Sequence, residues 1–257
     1  MNTHHVNHEK MESGRRTGDR RRADESRRIR DLLRVEVVHG ALDERLLPED
    51  RLMAKFGASR AVVRDALELL RSEGLVERIQ GVGTRVSNTR TRLDLAEYHG
   101  AVKPGRGSIL DGRLSAQILD WGVLRLPDIA TEALGLPSGH PGLRVDYVGW
   151  CDHEPFVIAT NYVRMPEALN LRRERFQKDW YRLLDESDIP LTGSTLLMEA
   201  ALADEHDAAL LRVSPGAPVL LYEQVIFGEG EVPFDFALVR ARGDRSVMFS
   251  KASRASG

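Results

Sequence analysis

Cysteine and long apolar runs are the two features that this sequence most clearly lacks. Cys151 is the only cysteine, which excludes an internal disulfide framework and a zinc site built from several cysteines, and fits a reducing compartment. No apolar run approaches the roughly 20 residues that a membrane-spanning helix needs. The first thirty residues are polar and basic and hold no apolar export signal, so we expect a cytoplasmic protein that does not contact membranes.

Recognisable catalytic motifs are also missing. The sequence contains no P-loop, no GxSxG and no HExxH pattern. Acidic and histidine side chains adjoin at residues 152–154, but these lie in a predicted hairpin turn, where water is not excluded and pKa values are not tuned. His140 and His206 have no partners at a useful spacing. We therefore predict that the chain is not an enzyme and uses no cofactor or metal.

The charge distribution distinguishes the two ends of the chain. Length and composition, 257 residues with 42% hydrophobic and 30% charged, suit one large or two smaller soluble domains. The net charge of -2 combines +5 over residues 1–92, with 20 Lys and Arg against 15 Asp and Glu, and -7 over the remainder. This asymmetry favours a protein that meets a polyanion through its amino-terminal part only.

Residues 1–25 are rich in Arg, His and Asn and poor in apolar residues, which predicts a disordered basic leader. His4, His5 and His8 are compatible with metal binding, but nothing nearby completes a site, so a plain flexible leader is the preferred interpretation. The run Arg20–Arg22 allows two interpretations, a basic arm that enters a DNA groove or solvated charge in a tail.

Helical periodicity recurs three times after this leader and is followed by a strand pattern with a glycine-containing turn. Helix, helix, turn, helix and hairpin in this order predict a winged helix-turn-helix domain over residues 26–87. The predicted elements are helices over residues 26–39 and 49–56, a third helix between the N-cap Ser59 and the stop Gly74, and strands over residues 75–80 and 84–87.

The third helix has an apolar face and a basic face. Arg60 and Arg64 are four residues apart and therefore share the side opposite the apolar stripe. The basic start of such a helix can enter the DNA major groove, where arginine donates two hydrogen bonds to guanine. A glycine at the tip of the hairpin lets the wing approach the DNA backbone. A three-helix cluster that merely carries surface arginines remains the alternative at this point.

A longer pattern decides between them. It consists of Leu47-Pro48-Glu49-Asp50-Arg51-Leu52, Gly57-Ala58-Ser59-Arg60, Val63-Arg64-Asp65-Ala66-Leu67, Gly74-Leu75-Val76 and Gly81-Val82-Gly83-Thr84-Arg85-Val86. This order resembles the DNA-binding domain of the GntR family of bacterial transcription regulators. The resemblance implies DNA contacts from Arg51, Ser59, Arg60, Ala61, Arg64, Gly81, Gly83 and Thr84. Two positions depart from the family pattern, because Glu49 replaces a serine and Ala61 replaces a threonine; Ala61 is compatible with a thymine methyl contact instead.

The carboxy-terminal half follows a predicted linker at residues 88–106 and contains an internal repeat. Residues 133–163 and 210–239 share a helix, a Gly/Pro loop and two strands around an acidic turn. Two such hairpins with short helices predict an α+β domain on an antiparallel sheet over residues 107–250, followed by a tail at 251–257. This half resembles the UTRA effector domain of the HutC-type branch, whose fold is shared with chorismate lyase.

The resemblance implies a homodimer that reads a near-palindromic operator in double-stranded DNA, and a small-molecule pocket between sheet and helices. Members that sense sugar phosphates carry two arginines and a glutamate where this chain has Tyr147, Gly149 and Ala159, so we do not expect a sugar-phosphate effector. The candidate effector-binding residues are Tyr147, Ala159, Asn161, Ser194, Thr195 and Asp235.

Taken together, these patterns predict a ligand-responsive transcription regulator, more specifically a repressor. Two alternatives remain open on the sequence alone: a lyase-like enzyme on the carboxy-terminal fold, and a DNA-architectural protein that senses nothing.

Overall fold

The computed structural model describes residues 3–38, 46–87, 91–98 and 114–251. The chain divides into two compact units, residues 1–89 and 90–257. Within the described ranges, no helix is both long enough and apolar enough to cross a membrane.

The first unit is a winged helix-turn-helix, as the sequence predicted. Its elements are helices α1 (Thr3–Val38), α2 (Glu49–Phe56) and α3 (Arg60–Ser72) and strands β1 (Val76–Ile79) and β2 (Gly83–Val86). The two strands form an antiparallel hairpin in which Val76 lies opposite Val86. Helix α2 has the predicted bounds because the fixed φ of Pro48 precedes it and the left-handed Gly57 ends it.

All three helices bury their apolar faces in one core. Ile29 and Leu33 of α1 are fully buried, as are Val63 and Leu70 of α3, and Leu52 of α2 is 1% exposed. Burial of each leucine or isoleucine side chain contributes about 1.5–3 kcal/mol to the free energy of folding. This core fixes the side of α3 that faces solvent.

Helix α1 begins much earlier than predicted. Residues 3–25, which we expected to be part of a disordered leader, continue the same helix that carries Ile29 and Leu33. Few apolar residues mean that this segment cannot form a core, but they do not prevent a helix. Its arginine, lysine and glutamate residues are good helix formers, it holds no proline, and extending a helix already fixed by packing is far easier than starting one.

The second unit is built on a six-stranded antiparallel sheet, in agreement with the predicted α+β class. The strand order is β4-β5-β6-β9-β8-β7. The strands are β4 (Leu114–Arg125), β5 (Pro141–Cys151), β6 (Glu154–Arg164), β7 (Gly193–Leu202), β8 (Pro218–Phe227) and β9 (Pro233–Arg242). The helices are α4 (Leu95–Tyr98), α5 (Asp128–Ala133), α6 (Met165–Ala168), α7 (Trp180–Glu186) and α8 (Glu205–Leu211).

The internal repeat corresponds to the two central hairpins. Strands β5 and β6 form the first copy and β8 and β9 the second, and β6 pairs antiparallel with β9 where the copies meet. Ala159 therefore lies between Tyr147 on one side and Val239 on the other. This cross-strand row lies on the face of the sheet that α7 covers.

The predicted linker at residues 88–106 is wrong in its middle part. Strand β3 (Thr91–Asp94) pairs in parallel with β10 (Ser246–Phe249), and α4 follows it directly. Leu93 is fully buried in a cluster with Cys151 and Phe156, so this segment belongs to the second unit. The sequence did not reveal it because the pairing joins residues about 150 positions apart. Residues 88–90 and 99–106, and the tail beyond residue 251, lie outside the described residues.

Candidate nucleic-acid interface and ligand pocket

The solvent face of α3 carries the predicted basic residues. Arg60, Ala61 and Arg64 are exposed, while Val62 and Val63 are buried beneath them. The helix begins cleanly because the Ser59 hydroxyl accepts a hydrogen bond from the backbone N–H of Val62 at 3.4 Å. The start of α3, where the helix dipole is positive, thus presents Arg60 and Arg64 to solvent.

The wing lies beside this face. Between α3 and the β1–β2 turn runs a groove of about 810 Å³. Of the predicted DNA-contacting residues, the structure brings to this groove Ala61, Arg64, Gly81, Gly83 and Thr84. Arg51, Ser59 and Arg60 are exposed outside its lining.

The wing turn depends on two glycines with left-handed backbone angles. Gly81 has φ +78° and Gly83 has φ +108°. A Cβ atom at either position would meet nothing within 4 Å, so the requirement for glycine is conformational rather than steric. The exposed tip leaves its backbone free to approach a nucleic-acid strand closely.

Arg22, which belongs to the basic run Arg20–Arg22, is a further residue of this interface. It lines the groove from α1, and its Nε and Nη2 atoms donate to the Asp65 carboxylate at 2.7 and 2.8 Å. Asp65 follows Arg64 on α3, so Arg22 neutralises the acidic group adjacent to the basic face. Ser26, four residues after Arg22, is 2% exposed and continues the buried face of α1 towards it. This four-residue spacing was the sequence signal that could have placed Arg22 on the side of α1 that faces α3.

The second unit contains a pocket of about 60 Å³ against the β5–β6–β9–β8 face of the sheet. Aromatic rings form much of its wall. The rings of Tyr147 and Trp180 stack with centroids 6.2 Å apart, and Phe176 packs edge-on against both. The lining residues include Tyr147, Asn161, Trp180, Tyr181, Gln224 and Val239.

Two buried polar side chains lie at the base of this pocket. Asn161 is 2% exposed, and Asp235 is fully buried behind it. The Oδ2 atom of Asp235 accepts hydrogen bonds from Asn161 Nδ2 at 2.7 Å and from Trp180 Nε1 at 2.6 Å. Burial raises the pKa of Asp235 to about 7, although these two hydrogen bonds partly oppose the rise.

A second polar chain borders the pocket. Tyr181 donates from its hydroxyl to Gln224 Oε1 at 2.9 Å, and Gln224 Nε2 donates to Ser194 Oγ at 3.0 Å. Gln224 is thereby held at both ends of its amide. Ser194 therefore supports a pocket residue.

Comparison with known families decides the class of the protein. The model of the UTRA domain matches residues 111–246, more than half of the chain. The model described as "Bacterial regulatory proteins, gntR family" matches residues 25–86. The chain belongs to the GntR family. It is a transcription regulator with a UTRA domain, so the predictions of family and fold are confirmed, and the lyase-like enzyme is not supported.

Two relatives of this GntR-family protein, matched over nearly their whole length, are named repressors. The HTH-type transcriptional repressor NagR of Bacillus subtilis is 28% identical over 235 residues, covering 89% of this chain and 94% of that protein. The repressor PhnF of Mycolicibacterium smegmatis is 28% identical over 239 residues, covering 86% and 95%. The crystal structure of PhnF matches with a TM-score of 0.58 at 22% identity, over 89% of this chain and all of that one, which supports the fold.

The structure separates the candidate effector residues of this GntR-family chain into three groups. Tyr147 and Asn161 line the pocket. Ala159 is buried beside Tyr147. Asp235 and Ser194 do not line the pocket but accept hydrogen bonds from the lining residues Asn161 and Gln224. Thr195 does not reach the pocket: it is exposed and lies opposite Val225, which packs on the other face of the sheet.

Trp180, Tyr181 and Gln224 were missed as pocket residues. Two of them come from α7, and no pattern in the strands predicts how a helix docks on a sheet. The consecutive aromatics at the start of α7 were the available signal. The turn at residues 152–154 is exposed, and Glu154 is paired with Arg245 at 3.0 Å. Among the described residues, no three His, Cys, Asp or Glu side chains are grouped to hold a metal ion.

Proposed function

We propose that this protein is a repressor that binds a near-palindromic operator as a homodimer, and that a small molecule in the second-unit pocket changes its affinity for DNA. One observation carries the proposal: the chain combines a basic helix face beside a wing with an aromatic-walled pocket in a separate unit. Such a protein acts where the chromosome is, in the cytoplasm. An architectural protein has no use for the pocket.

On the DNA side, Arg60 and Arg64 enter the major groove, and Ala61 between them meets a thymine methyl group. Each arginine that grips a guanine contributes about 1–3 kcal/mol of discrimination. Arg51 and Ser59 hold the phosphates on either side of the helix start. The backbone of Gly81 and Gly83, with Thr84, approaches the neighbouring DNA strand.

The dimer is proposed to form through the second unit. Strand β7 is an edge of the sheet and carries exposed apolar side chains, Leu197 at 57%, Met198 at 39% and Leu202 at 71%. An edge strand with such side chains would aggregate if nothing covered it. A second copy of the chain covers it and places two DNA-binding units on two half-sites.

The pocket chemistry disfavours an anionic effector. Lys178, which is exposed, is the one basic side chain among the described residues that line it. A phosphate therefore lacks the charge-assisted partners that it needs. The effector regulates only to the extent that it binds the DNA-competent and DNA-incompetent states with different affinities.

A ligand screen tests the proposal. The full-length protein is screened against metabolites by thermal shift, and each stabilising compound is added to an anisotropy titration of labelled DNA from upstream of its own gene and of its neighbours. We expect at least one compound to stabilise the protein and to change operator affinity. Stabilisers that leave DNA binding untouched, or turnover of the compound, would argue against a sensor.

A further inference from the structure

A row of side chains crosses the centre of the sheet at the base of the pocket. Asn161 on β6 lies opposite Ala237 on β9, and Ala237 lies opposite Gln224 on β8. The small Ala237 leaves room above it, between two amide side chains. Asp235 lies two residues before Ala237 on β9 and so points to the same face.

In only one of these two side-chain amides do both the nitrogen and the oxygen have hydrogen-bond partners. Gln224 is bonded at both ends, to Tyr181 and to Ser194. Asn161 donates its Nδ2 to Asp235, which turns its carbonyl oxygen away from Asp235. Across the ranges that the structure describes, neither Asn161 Oδ1 nor Asp235 Oδ1 has a hydrogen-bond partner. A buried acceptor left without a donor is unfavourable, because it has lost its hydrogen bonds to water and gained none from the protein.

We propose that the pocket takes a compact ligand with a cationic amine, whose N–H group donates to Asn161 Oδ1 while its apolar part lies against Tyr147 and Trp180. The proposal rests on the proposed function, since it identifies the pocket's occupant with the effector. It adds the chemical class of that effector and a role for Asn161.

Three features of the pocket favour a cation over other donors. The unsatisfied groups at its base are acceptors, and Asp235 is a carboxyl group in direct contact with Asn161. Asp179 also lines the pocket, and its carboxyl group, which caps α7 by accepting from the backbone N–H of Arg182 at 3.0 Å, adds a second acidic group there. The rings of Tyr147 and Trp180 receive the apolar part of the ligand, which leaves the amine to these polar groups. A carboxylate or an ionised phosphate placed here has no proton to donate to Asn161 Oδ1.

Asp235 is a positioning residue in this arrangement. By accepting from both Asn161 Nδ2 and Trp180 Nε1, it fixes which end of the Asn161 amide faces the ligand and where the indole lies. The ligand contacts Asn161, and Asp235 acts through it.

Three ring compounds that differ in their polar group test the proposal. Benzylamine, benzyl alcohol and benzoate are titrated into full-length ¹⁵N-labelled protein at about pH 8, above the pKa of Asp235. Binding is followed by the indole N–H resonance of Trp180, which a Trp180→Phe variant assigns among the three tryptophans. We expect benzylamine to shift this resonance, benzyl alcohol to bind more weakly, and benzoate to have no effect.

Asn161→Leu removes the acceptor at nearly constant volume, and we expect it to weaken benzylamine binding about tenfold or more, as for a hydrogen bond to a charged group. Asn170→Leu makes the same change at an exposed position and should leave binding unaltered. Equal or tighter binding of benzoate or benzyl alcohol, unchanged binding by Asn161→Leu, or no binding of benzylamine would overturn the proposal.

The operator titration separates this inference from the proposed function. If benzylamine binds as expected but no pocket ligand alters operator affinity, the proposed function fails and the pocket chemistry stands. If an effector that competes for the pocket and carries no cationic amine releases or promotes DNA binding, the function stands and the inference fails.

Discussion

The ion pair between Arg22 and Asp65 provides a prediction that distinguishes DNA binding from folding. Arg22→Ala leaves the Asp65 carboxylate without its partner beside the basic face of α3. The two side chains are 48% and 41% exposed, so the pair adds little to folding stability, and the free energy of unfolding should hardly change. Operator binding should weaken, because the carboxylate then repels the DNA phosphates.

The magnitude follows from Coulomb's law. Two like charges about 8 Å apart in water repel by roughly 0.5 kcal/mol, or about a factor of two in affinity, and two or three phosphates lie within that range of a groove-bound helix. Screening in about 100 mM salt roughly halves each repulsion, so we expect Arg22→Ala to lower operator affinity about two- to threefold. Fluorescence anisotropy with a labelled operator measures the change.

A double-mutant cycle identifies the cause. In an Asp65→Asn background the carboxylate is gone, and Arg22→Ala should then have almost no effect on affinity. If it weakens binding equally in both backgrounds and flattens the salt dependence by about one phosphate contact, Arg22 contacts DNA directly and the reasoning above is refuted.

Three further predictions concern the wing, the buried carboxyl group and the dimer. Gly83→Ala imposes a side chain on a backbone at φ +108° and should cost about 1 kcal/mol or more of wing stability; operator affinity falls in anisotropy, while Gly135→Ala, a control at φ +64° in the second unit, binds the operator like the wild type. Because burial raises the pKa of Asp235 from 3.8 to about 7, native stability relative to Asp235→Asn should be greatest below about pH 4 and be lost as the pH rises to 7, by up to about 4 kcal/mol; urea unfolding from pH 4 to 8 checks this, and parallel curves would contradict it. Leu197→Asp on the exposed edge should shift the protein to monomer in analytical ultracentrifugation, whereas an unchanged dimer would place the interface elsewhere.

Residues that begin or end helices made the DNA-binding unit predictable. Pro48, Gly57 and Ser59 mark the ends of α2 and the start of α3, and the apolar stripe of α3 alone defines its exposed face. The extent of α1 was not predictable in the same way. Low apolar content indicates that a segment cannot form a core of its own, but a helix already anchored by Ile29 can continue through such a segment.

The pocket was predictable only as far as strand alternation applies. Tyr147, Ala159 and Asn161 share a face because they are spaced by two along their strands and paired across them. Ser194 and Thr195 are consecutive, so one of them had to point away, and it is Thr195. Trp180 comes from a helix whose docking depends on side-chain packing over the whole sheet, and its contact with Asp235 spans 55 residues.

The central claim is that the exposed face of α3 reads DNA, and the affinity of the Arg60→Ala variant for an operator tests it most directly. Arg173→Ala serves as the control, because it removes the same charge from an exposed site in the second unit. At fixed salt, we expect Arg60→Ala to lose about 5- to 150-fold in affinity, as for a lost arginine–guanine contact, while Arg173→Ala binds like the wild type. Unchanged affinity for the Arg60→Ala variant, or equal losses in both, would contradict the account.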